Sequence, residues 1–120
     1  MSKRTLVLGA SDNPARYSFL AVTRLKEKGH AVFPLGARKG TIAGLEILTD
    51  ASGLENIDTV SIYLNPENQK QFYDLIVKLK PKRVIFNPGA ENPEFEKIAQ
   101  LKGIETIDAC TLVMLSIGNY

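Results

Sequence analysis

The chain has 120 residues, the usual size of one domain, and we expect a single domain over residues 1–120. Its 44% hydrophobic and 23% charged residues are near the globular average, which argues against disordered, collagen-like and coiled-coil classes. The net charge of +2 is too small for a non-specific DNA-binding protein, and a single cysteine cannot form an internal disulfide.

The first residues argue against a secreted or membrane protein. The apolar run at residues 5–8 is far shorter than the roughly 20 residues that a membrane span needs. It also lacks the small-residue cleavage site of a signal peptide. We therefore expect a cytoplasmic protein with neither a membrane nor a nucleic acid as partner.

The first third of the chain predicts two strands and one helix. Residues 5–8 are a continuous apolar run typical of a strand covered on both faces. A helix is predicted over residues 18–28, with Gly29 as its end. Residues 31–35 predict the second strand, and the glycines and basic pair of residues 36–44 predict a long exposed loop.

The middle of the chain repeats this alternation. A third strand is predicted at residues 59–64. Asn65 is a good N-cap, and the Pro66 that follows it suits the first helical position. The apolar stripe that follows predicts a helix that Pro81 ends, and residues 83–86 predict the fourth strand.

The last third begins with the same Asn-Pro pattern. Asn92 and Pro93 open a helix that Gly103 ends. Residues 105–107 alternate between polar and apolar side chains, so we place this fifth strand toward a sheet edge. The apolar residues 111–117 predict a closing helix.

Alternating strands and helices predict an α/β fold, a doubly wound parallel five-stranded sheet with helices on both faces in three α/β/α layers. Both the Rossmann-like order 3-2-1-4-5 and the flavodoxin-like order 2-1-3-4-5 fit five strands. In either order a ligand binds where the carboxyl ends of the strands meet. Function should therefore lie in the loops at residues 9–18, 36–44, 65–68 and 87–92.

The first of these loops favours an anion. Its small residues after the first strand allow a ligand to approach the backbone, and the next helix offers free N–H groups. Arg16 is placed for a charge-assisted contact, and Ser18 either for a cap or for a phosphate hydrogen bond. A tight turn without a ligand explains the same residues equally well.

The second loop argues against NAD. Strand two of an NAD-binding fold usually ends in Asp or Glu, which binds the ribose hydroxyls. Here Arg38 and Lys39 follow instead. Loss of such a charged hydrogen bond costs ~1.5–3 kcal/mol, whereas a phosphate on the ribose would gain from the two cations. Alternatively, the pair is a solvated feature of a mobile loop.

The third and fourth loops are rich in amides. Capping accounts for Asn65 and Asn92, and Gly89 suits a turn with positive φ. For Asn87, at the carboxyl end of strand four, the sequence offers no structural role.

Groups for catalysis are few. His30, the only histidine, is predicted at the amino end of strand two, away from the ligand edge. Cys110 lies at a helix start, although a buried structural role is the favoured interpretation of this lone thiol. Nothing in the sequence brings Asp12 and Glu91 together, and one Cys with one His cannot build a metal site.

The stretch Gly-Ala-Ser-Asp-Asn-Pro-Ala-Arg-Tyr-Ser at residues 9–18 resembles the opening motif of the small bacterial CoA-binding proteins. Their module is similar to the CoA-binding domain of succinyl-CoA synthetase α subunits. Residues 29–34, 42–44 and 87–92 extend the resemblance over essentially the whole chain.

This resemblance implies a Rossmann-like domain that binds coenzyme A. Ala10 and Ser11, with Arg16 and Ser18, would face the pyrophosphate. Lys39, with Arg38, would meet the ribose 3′-phosphate, and residues 63–65 would border the adenosine and pantetheine. The full set of expected cofactor-binding residues is Gly9, Ala10, Ser11, Arg16, Ser18, Pro34, Arg38, Lys39, Tyr63, Leu64, Asn65, Asn87 and Gly89.

The resemblance implies binding rather than turnover, because the phosphorylated histidine of the synthetase lies outside this module. Our first hypothesis is a non-catalytic CoA or acyl-CoA binding module. The alternatives are an NADP-dependent oxidoreductase and a nucleotide-sensing regulatory or docking protein. A protein partner or a second copy of the chain remains open.

Overall fold

Strands and helices alternate throughout residues 2–120, the part of the chain that the computed structural model describes. The strands are β1 (Thr5–Leu8), β2 (Val32–Leu35), β3 (Thr41–Ile42), β4 (Leu45–Glu46), β5 (Thr59–Ile62), β6 (Arg83–Phe86) and β7 (Glu105–Asp108). The helices are α1 (Tyr17–Glu27), α2 (Pro66–Gln69), α3 (Tyr73–Leu79), α4 (Pro93–Leu101) and α5 (Thr111–Ile117). All five predicted strands are confirmed, with ends that differ by at most two residues.

The main sheet is parallel, in the order β2-β1-β5-β6-β7. Its five strands therefore have the order 2-1-3-4-5. Outside β2, however, Leu48 forms a parallel bridge with Leu35. Leu48 donates its N–H to the Pro34 carbonyl (2.8 Å) and accepts from Gly36 N–H (2.9 Å). This single bridge occupies the place of the third strand in the Rossmann order 3-2-1-4-5-6.

Two apolar cores lie on opposite faces of the sheet. On one face Val7 packs with Val22 and Leu25 of α1 and Leu115 of α5. On the other face Leu8, Ile62 and Phe86 pack with Ile76 of α3 and Phe95 of α4. The predicted three-layer α/β/α architecture is confirmed, and β7 is at the sheet edge as predicted.

The prediction of an exposed loop over residues 36–44 is wrong for its second half. Residues 41–46 form the antiparallel hairpin β3–β4, and Ile42 is buried in the core under α1. Ala43 and Gly44 both have positive φ, as a two-residue hairpin turn requires. The apolar residues Ile42 and Leu45, one on each side of that turn, were the sequence signal for the hairpin.

The helix predicted after Asn65 is interrupted. A 3₁₀ turn at Lys70–Phe72 separates α2 from α3. The buried Gln69 side chain donates to the carbonyls of Leu64 (2.8 Å) and Ala90 (2.7 Å), which ties the first turn to the sheet edge. Asn65 and Asn92 cap their helices as predicted, by accepting from Asn68 N–H (2.9 Å) and Phe95 N–H (3.1 Å).

None of the helices in residues 2–120 has both the length and the apolar character needed to cross a membrane.

Candidate functional site

The loops that follow β1, β2, β5 and β6 meet at one edge of the sheet, as expected for parallel strands. Two depressions lie at this edge and share Ala37. The first, which we call the loop cleft, has about 410 Å³ and is lined by Ala10, Ser11, Asp12, Asn13, Arg16, Ala37, Arg38 and Ile47. The second, the edge groove, has about 370 Å³ and is lined by Gly9, Leu35, Gly36, Ala37, Thr49, Leu64, Asn68, Gln71 and Phe72.

The turn after β1 depends on Gly9. Its φ of +91° favours glycine strongly, and an added Cβ would also make a tight contact of 3.1 Å with the Leu64 side chain. The N–H groups of Gly9 and Ala10 both donate to the Leu35 carbonyl (2.9 Å each), so this part of the backbone is held by β2. The expected backbone contacts to a ligand must therefore come from further along the loop.

The start of α1 offers free backbone N–H groups there. Tyr17 and Ser18 stand in the first turn of an eleven-residue helix, where N–H groups lack an intrahelical partner and the helix dipole is positive. Arg16 is the N-cap residue and lines the loop cleft. Ser18 is 3% exposed and does not cap the helix, so of its two predicted roles the cap is wrong.

The two cations of the second loop point to different depressions. Arg38 lines the loop cleft with Ser11 and Arg16. Lys39 instead lines a neighbouring depression of about 590 Å³, together with Glu46 and Asp50, which adjoins the loop cleft at Asp12 and Ile47. Of the two cations, Arg38 is the one that lines the same depression as the predicted phosphate residues Ser11 and Arg16.

Close backbone packing holds the first two loops together. A Cβ on Gly36 would lie 2.2 Å from the carbonyl oxygen of Ala10. A Cβ on Gly40 would lie 2.6 Å from the carboxylate of Asp12. The first two loops therefore pack closely at both glycines, against backbone at Gly36 and against a side chain at Gly40.

The residues predicted after β5 separate into different roles. Leu64 lines the edge groove, whereas the exposed Asn65 caps α2. Tyr63 packs against the core under α1 and α5, and burial raises the pKa of its phenol well above the ordinary range. Its hydroxyl is buried without a hydrogen-bond partner in the described residues. Pro34 is buried within β2 and lines neither depression.

The structure gives Asn87 the role that the sequence does not reveal. This residue is 1% exposed. Its amide nitrogen donates to Ser61 Oγ and to the Ile62 carbonyl (2.9 Å each), and its oxygen accepts from Thr111 N–H (2.8 Å). Asn87 thus joins β5 and β6 to the start of α5.

The fourth loop turns at Gly89, whose φ of +92° matches the predicted positive φ. Its N–H donates to the carboxylate of Glu91 (2.8 Å), so this carboxylate is engaged within its own loop. Asp12 lies in the first loop, beside Gly40. The structure does not bring the two carboxylates together.

His30 and Cys110 lie outside both depressions. His30 is at the amino end of β2, where its Nδ1 accepts from Lys3 N–H (2.9 Å). Cys110 is a half-buried free thiol at the N-cap of α5.

Sequence reasoning missed part of the edge groove. Asn68 lies in one of the predicted functional loops, whereas Gln71 and Phe72, which line the groove with it from the turns that follow β5, were not predicted. Their i, i+3, i+4 spacing places them on one side of a helical segment, which was an available signal. Thr49 contributes from beyond the Leu48 bridge, which no sequence pattern indicated.

Comparisons with known proteins agree with this architecture. Residues 3–116 match the family described as a CoA binding domain. The crystal structure of an uncharacterized protein shares 49% identity with a TM-score of 0.97, over 100% of this chain and 99% of that one. A hypothetical protein from Pyrococcus horikoshii OT3 shares 23% identity with a TM-score of 0.85, over 97% of this chain and 82% of that one.

A longer protein has the same fold in part. The chain is similar to an acetyl-coenzyme A synthetase from Ca. Korarchaeum cryptofilum, at 19% identity and a TM-score of 0.71. The likeness covers 89% of this chain and 25% of the synthetase. A comparison with curated proteins found no match. Since the family match spans nearly the whole of the described fold, the chain belongs to the CoA binding domain family.

Proposed function

We propose that the protein binds coenzyme A or an acyl-CoA at the carboxyl edge of its sheet, without catalysing a reaction itself. The observation that supports this most strongly is the composition of the loop cleft. Arg16 and Arg38 line this cleft together with Ser11, and the first turn of α1 begins beside it. Two guanidinium groups and a helix N-terminus match the charge of a nucleotide carrying several phosphates.

The diphosphate of the coenzyme would lie against Ser11 and the start of α1. There Arg16 supplies a charge-assisted contact, and the first-turn N–H groups supply neutral ones. Ala10 is buried at the floor of this cleft, where its small side chain leaves room for phosphate oxygens.

The ribose phosphate would meet mainly Arg38, whereas the family resemblance implied Lys39 together with Arg38. Arg38 lines the same cleft as the diphosphate residues, where Asp12 is the one carboxylate of the lining. Lys39 lines a depression in which Glu46 and Asp50 add to Asp12, so a phosphate there would be repelled more strongly.

The pantetheine arm would follow the edge groove. Leu35, Leu64 and Phe72 provide apolar surface there. Asn68 and Gln71 provide amides that suit the amide groups of pantetheine. Gly9 and Gly36 line the groove with bare backbone, which allows the arm to pass closely.

A binding role, rather than an enzymatic one, is supported by where the titratable groups lie. Asp12 and Glu91 belong to separate loops, and His30 lies at the opposite edge of the sheet. We place the protein in the cytoplasm from its composition, which includes a single cysteine.

The proposal is tested by isothermal titration with CoA, dephospho-CoA and NADP. We expect CoA to bind more tightly than dephospho-CoA. Arg38→Ala should weaken CoA binding by ~1–2 kcal/mol, a 5- to 30-fold loss of affinity, because an exposed charge-assisted contact is lost. The same variant should leave dephospho-CoA unchanged.

Lys39→Ala is the matched control, since it removes an equal charge from the adjacent residue. We expect it to change CoA affinity less than Arg38→Ala does. If wild-type protein bound CoA and dephospho-CoA equally, the ribose-phosphate contact would be rejected. If it bound neither, or bound NADP more tightly, the proposed ligand would be wrong.

A further inference from the structure

Helices α1 and α5 lie side by side on one face of the sheet and leave a groove between them. This groove, which we call the helix groove, has about 370 Å³. It is lined by Leu20, Arg24, Lys28, Leu112, Val113, Leu115 and Ser116. It is separate from the loop cleft and the edge groove, with which it shares no lining residue.

The apolar residues of the helix groove exceed what the core requires. The inward residues Val22, Leu25 and Leu115 already anchor the two helices to the sheet. Yet Val113 is 52% exposed and Leu20 is 38% exposed. Solvent-facing helix surfaces normally carry charged or polar residues, and exposed apolar patches with a polar rim mark interaction sites.

The same two helices carry two more exposed apolar residues outside the lining of the helix groove. Tyr17 of α1 is 71% exposed and Ile117 of α5 is 66% exposed. The whole of α5 reads Thr-Leu-Val-Met-Leu-Ser-Ile and contains no charged residue. Solvation alone does not account for such a surface.

The charge at the rim of the helix groove is positive. Arg24 and Lys28 are its only charged lining residues. Glu27 is the single acidic residue of α1 and α5, and its Oε1 already pairs with Nε of Arg24 at 3.7 Å. An occupant gains electrostatically only if it carries acidic residues beside its apolar surface.

This charge pattern disfavours a second copy of the chain as the occupant. A symmetric dimer brings the same surface of both copies together. It would place two sets of Arg24 and Lys28 at one interface, where the uncharged α5 offers no acid to pair with them. The concave shape between two helices suits a third helix better than a flat lipid surface.

We propose that the helix groove docks an amphipathic helix of a partner protein. The apolar stripe of that helix would pack on Leu20 and Val113, and its acidic flank would lie beside Arg24 and Lys28. This is the helix-in-groove mode of recognition, in which residues at i, i+3, i+4 and i+7 serve as anchors.

Two synthetic peptides test the proposal on the full chain. Both are capped helices of about 15 residues with the same leucine stripe, and one has Glu where the other has Lys on the flanks. Fluorescence anisotropy should show the Glu peptide binding at least 10-fold more tightly than the Lys peptide. Raising the salt concentration should narrow this difference, because exposed charges are screened.

Single substitutions then locate the site. Val113→Asp should reduce affinity for the Glu peptide at least 10-fold. Leu101→Asp is the matched control, because Leu101 is an exposed leucine (80%) on α4, across the sheet, and its replacement should change nothing. The double variant Arg24→Glu, Lys28→Glu should reverse the preference of the protein, so that the Lys peptide binds more tightly.

The proposal would be overturned if the two peptides bound equally, or if Val113→Asp and Leu101→Asp had the same effect. Sedimentation gives a second check. A dimer of the free chain that Val113→Asp dissociates would assign the groove to a second copy instead. Binding of anionic vesicles that needs Val113, without binding of the Glu peptide, would assign it to a membrane surface.

Discussion

At the scale of single residues, Asn87 shows how one amide can join three elements. Its side chain contacts the ends of β5 and β6 and caps the first N–H of α5. Asn87 is 1% exposed, so removal of its amide leaves buried partners, among them the Thr111 N–H, without this hydrogen bond.

Asn87→Ala should therefore lower the free energy of unfolding by about 3 kcal/mol, because buried polar groups lose their partners. Asn65→Ala is the matched control. It removes an exposed N-cap and should cost only about 1 kcal/mol. Urea unfolding of both variants measures the difference, and equal losses would contradict the role of Asn87.

Tyr63 presents the opposite case: its buried hydroxyl lies near the Ser61 and Thr111 side chains but makes no hydrogen bond of good geometry in the described residues. Tyr63→Phe removes this group while keeping the ring in the core, and it should stabilise the protein by about 1 kcal/mol. Tyr120→Phe is the comparison, because the Tyr120 hydroxyl is hydrogen-bonded to Thr5 Oγ1. Tyr120→Phe should lower the free energy of unfolding by about 1 kcal/mol, as measured by thermal unfolding. A destabilised Tyr63→Phe would show that the hydroxyl has a partner.

At the scale of elements, the approach of the first two loops sets the shape of the candidate site. Gly36→Ala would place a Cβ 2.2 Å from the Ala10 carbonyl, and since this is backbone the loops must separate. We expect a loss of about 1–3 kcal/mol of stability, together with weaker CoA binding by titration.

Gly40→Ala provides the contrast within the same loop. Its Cβ would meet the carboxylate end of Asp12, which is flexible and can rotate away. We expect this variant to lose less stability and less CoA affinity than Gly36→Ala. A reversed ranking would contradict the observed packing of the loops.

At the scale of the whole molecule, His30 links both ends of the chain. Its ring accepts from Lys3 N–H near one end and packs edge-on against Tyr120 at the other, with ring centroids 4.9 Å apart. Partial burial, followed by the charges of Lys3 and Arg83, lowers the pKa of His30 below 6.5, while Asp58 opposes this. The neutral form is therefore favoured in the folded protein.

The sign of the pH dependence follows from this shift. The unfolded chain takes up a proton near pH 6.5, whereas the folded chain does so only at lower pH. The contribution of His30 to stability is thus complete above pH 6.5 and declines as the pH falls toward the lower, folded pKa. The free energy of unfolding, measured in urea at pH values from 8 to 5, should show this loss in the wild type and not in His30→Gln. The same pH dependence in both proteins would contradict the prediction.

Local patterns in the sequence determined most of the secondary structure. The five strands, the two Asn-Pro helix starts and the end of α5 at Gly118 were all predicted. Apolar runs, periodic stripes and capping residues act over a few neighbouring positions, and such short-range preferences are legible in the chain itself. The sequence also determined which loops share one edge, because all strands of a doubly wound sheet point the same way.

Tertiary structure decided what depends on distant residues. The bridge of Leu48 to β2, the burial of Ile42 and the partners of Asn87 all join segments well separated in sequence. The same holds for Arg38 and Lys39, adjacent residues that line different depressions. The second loop that carries them packs on Ala10 and Asp12, and such packing between loops leaves no periodic trace in the sequence of either loop.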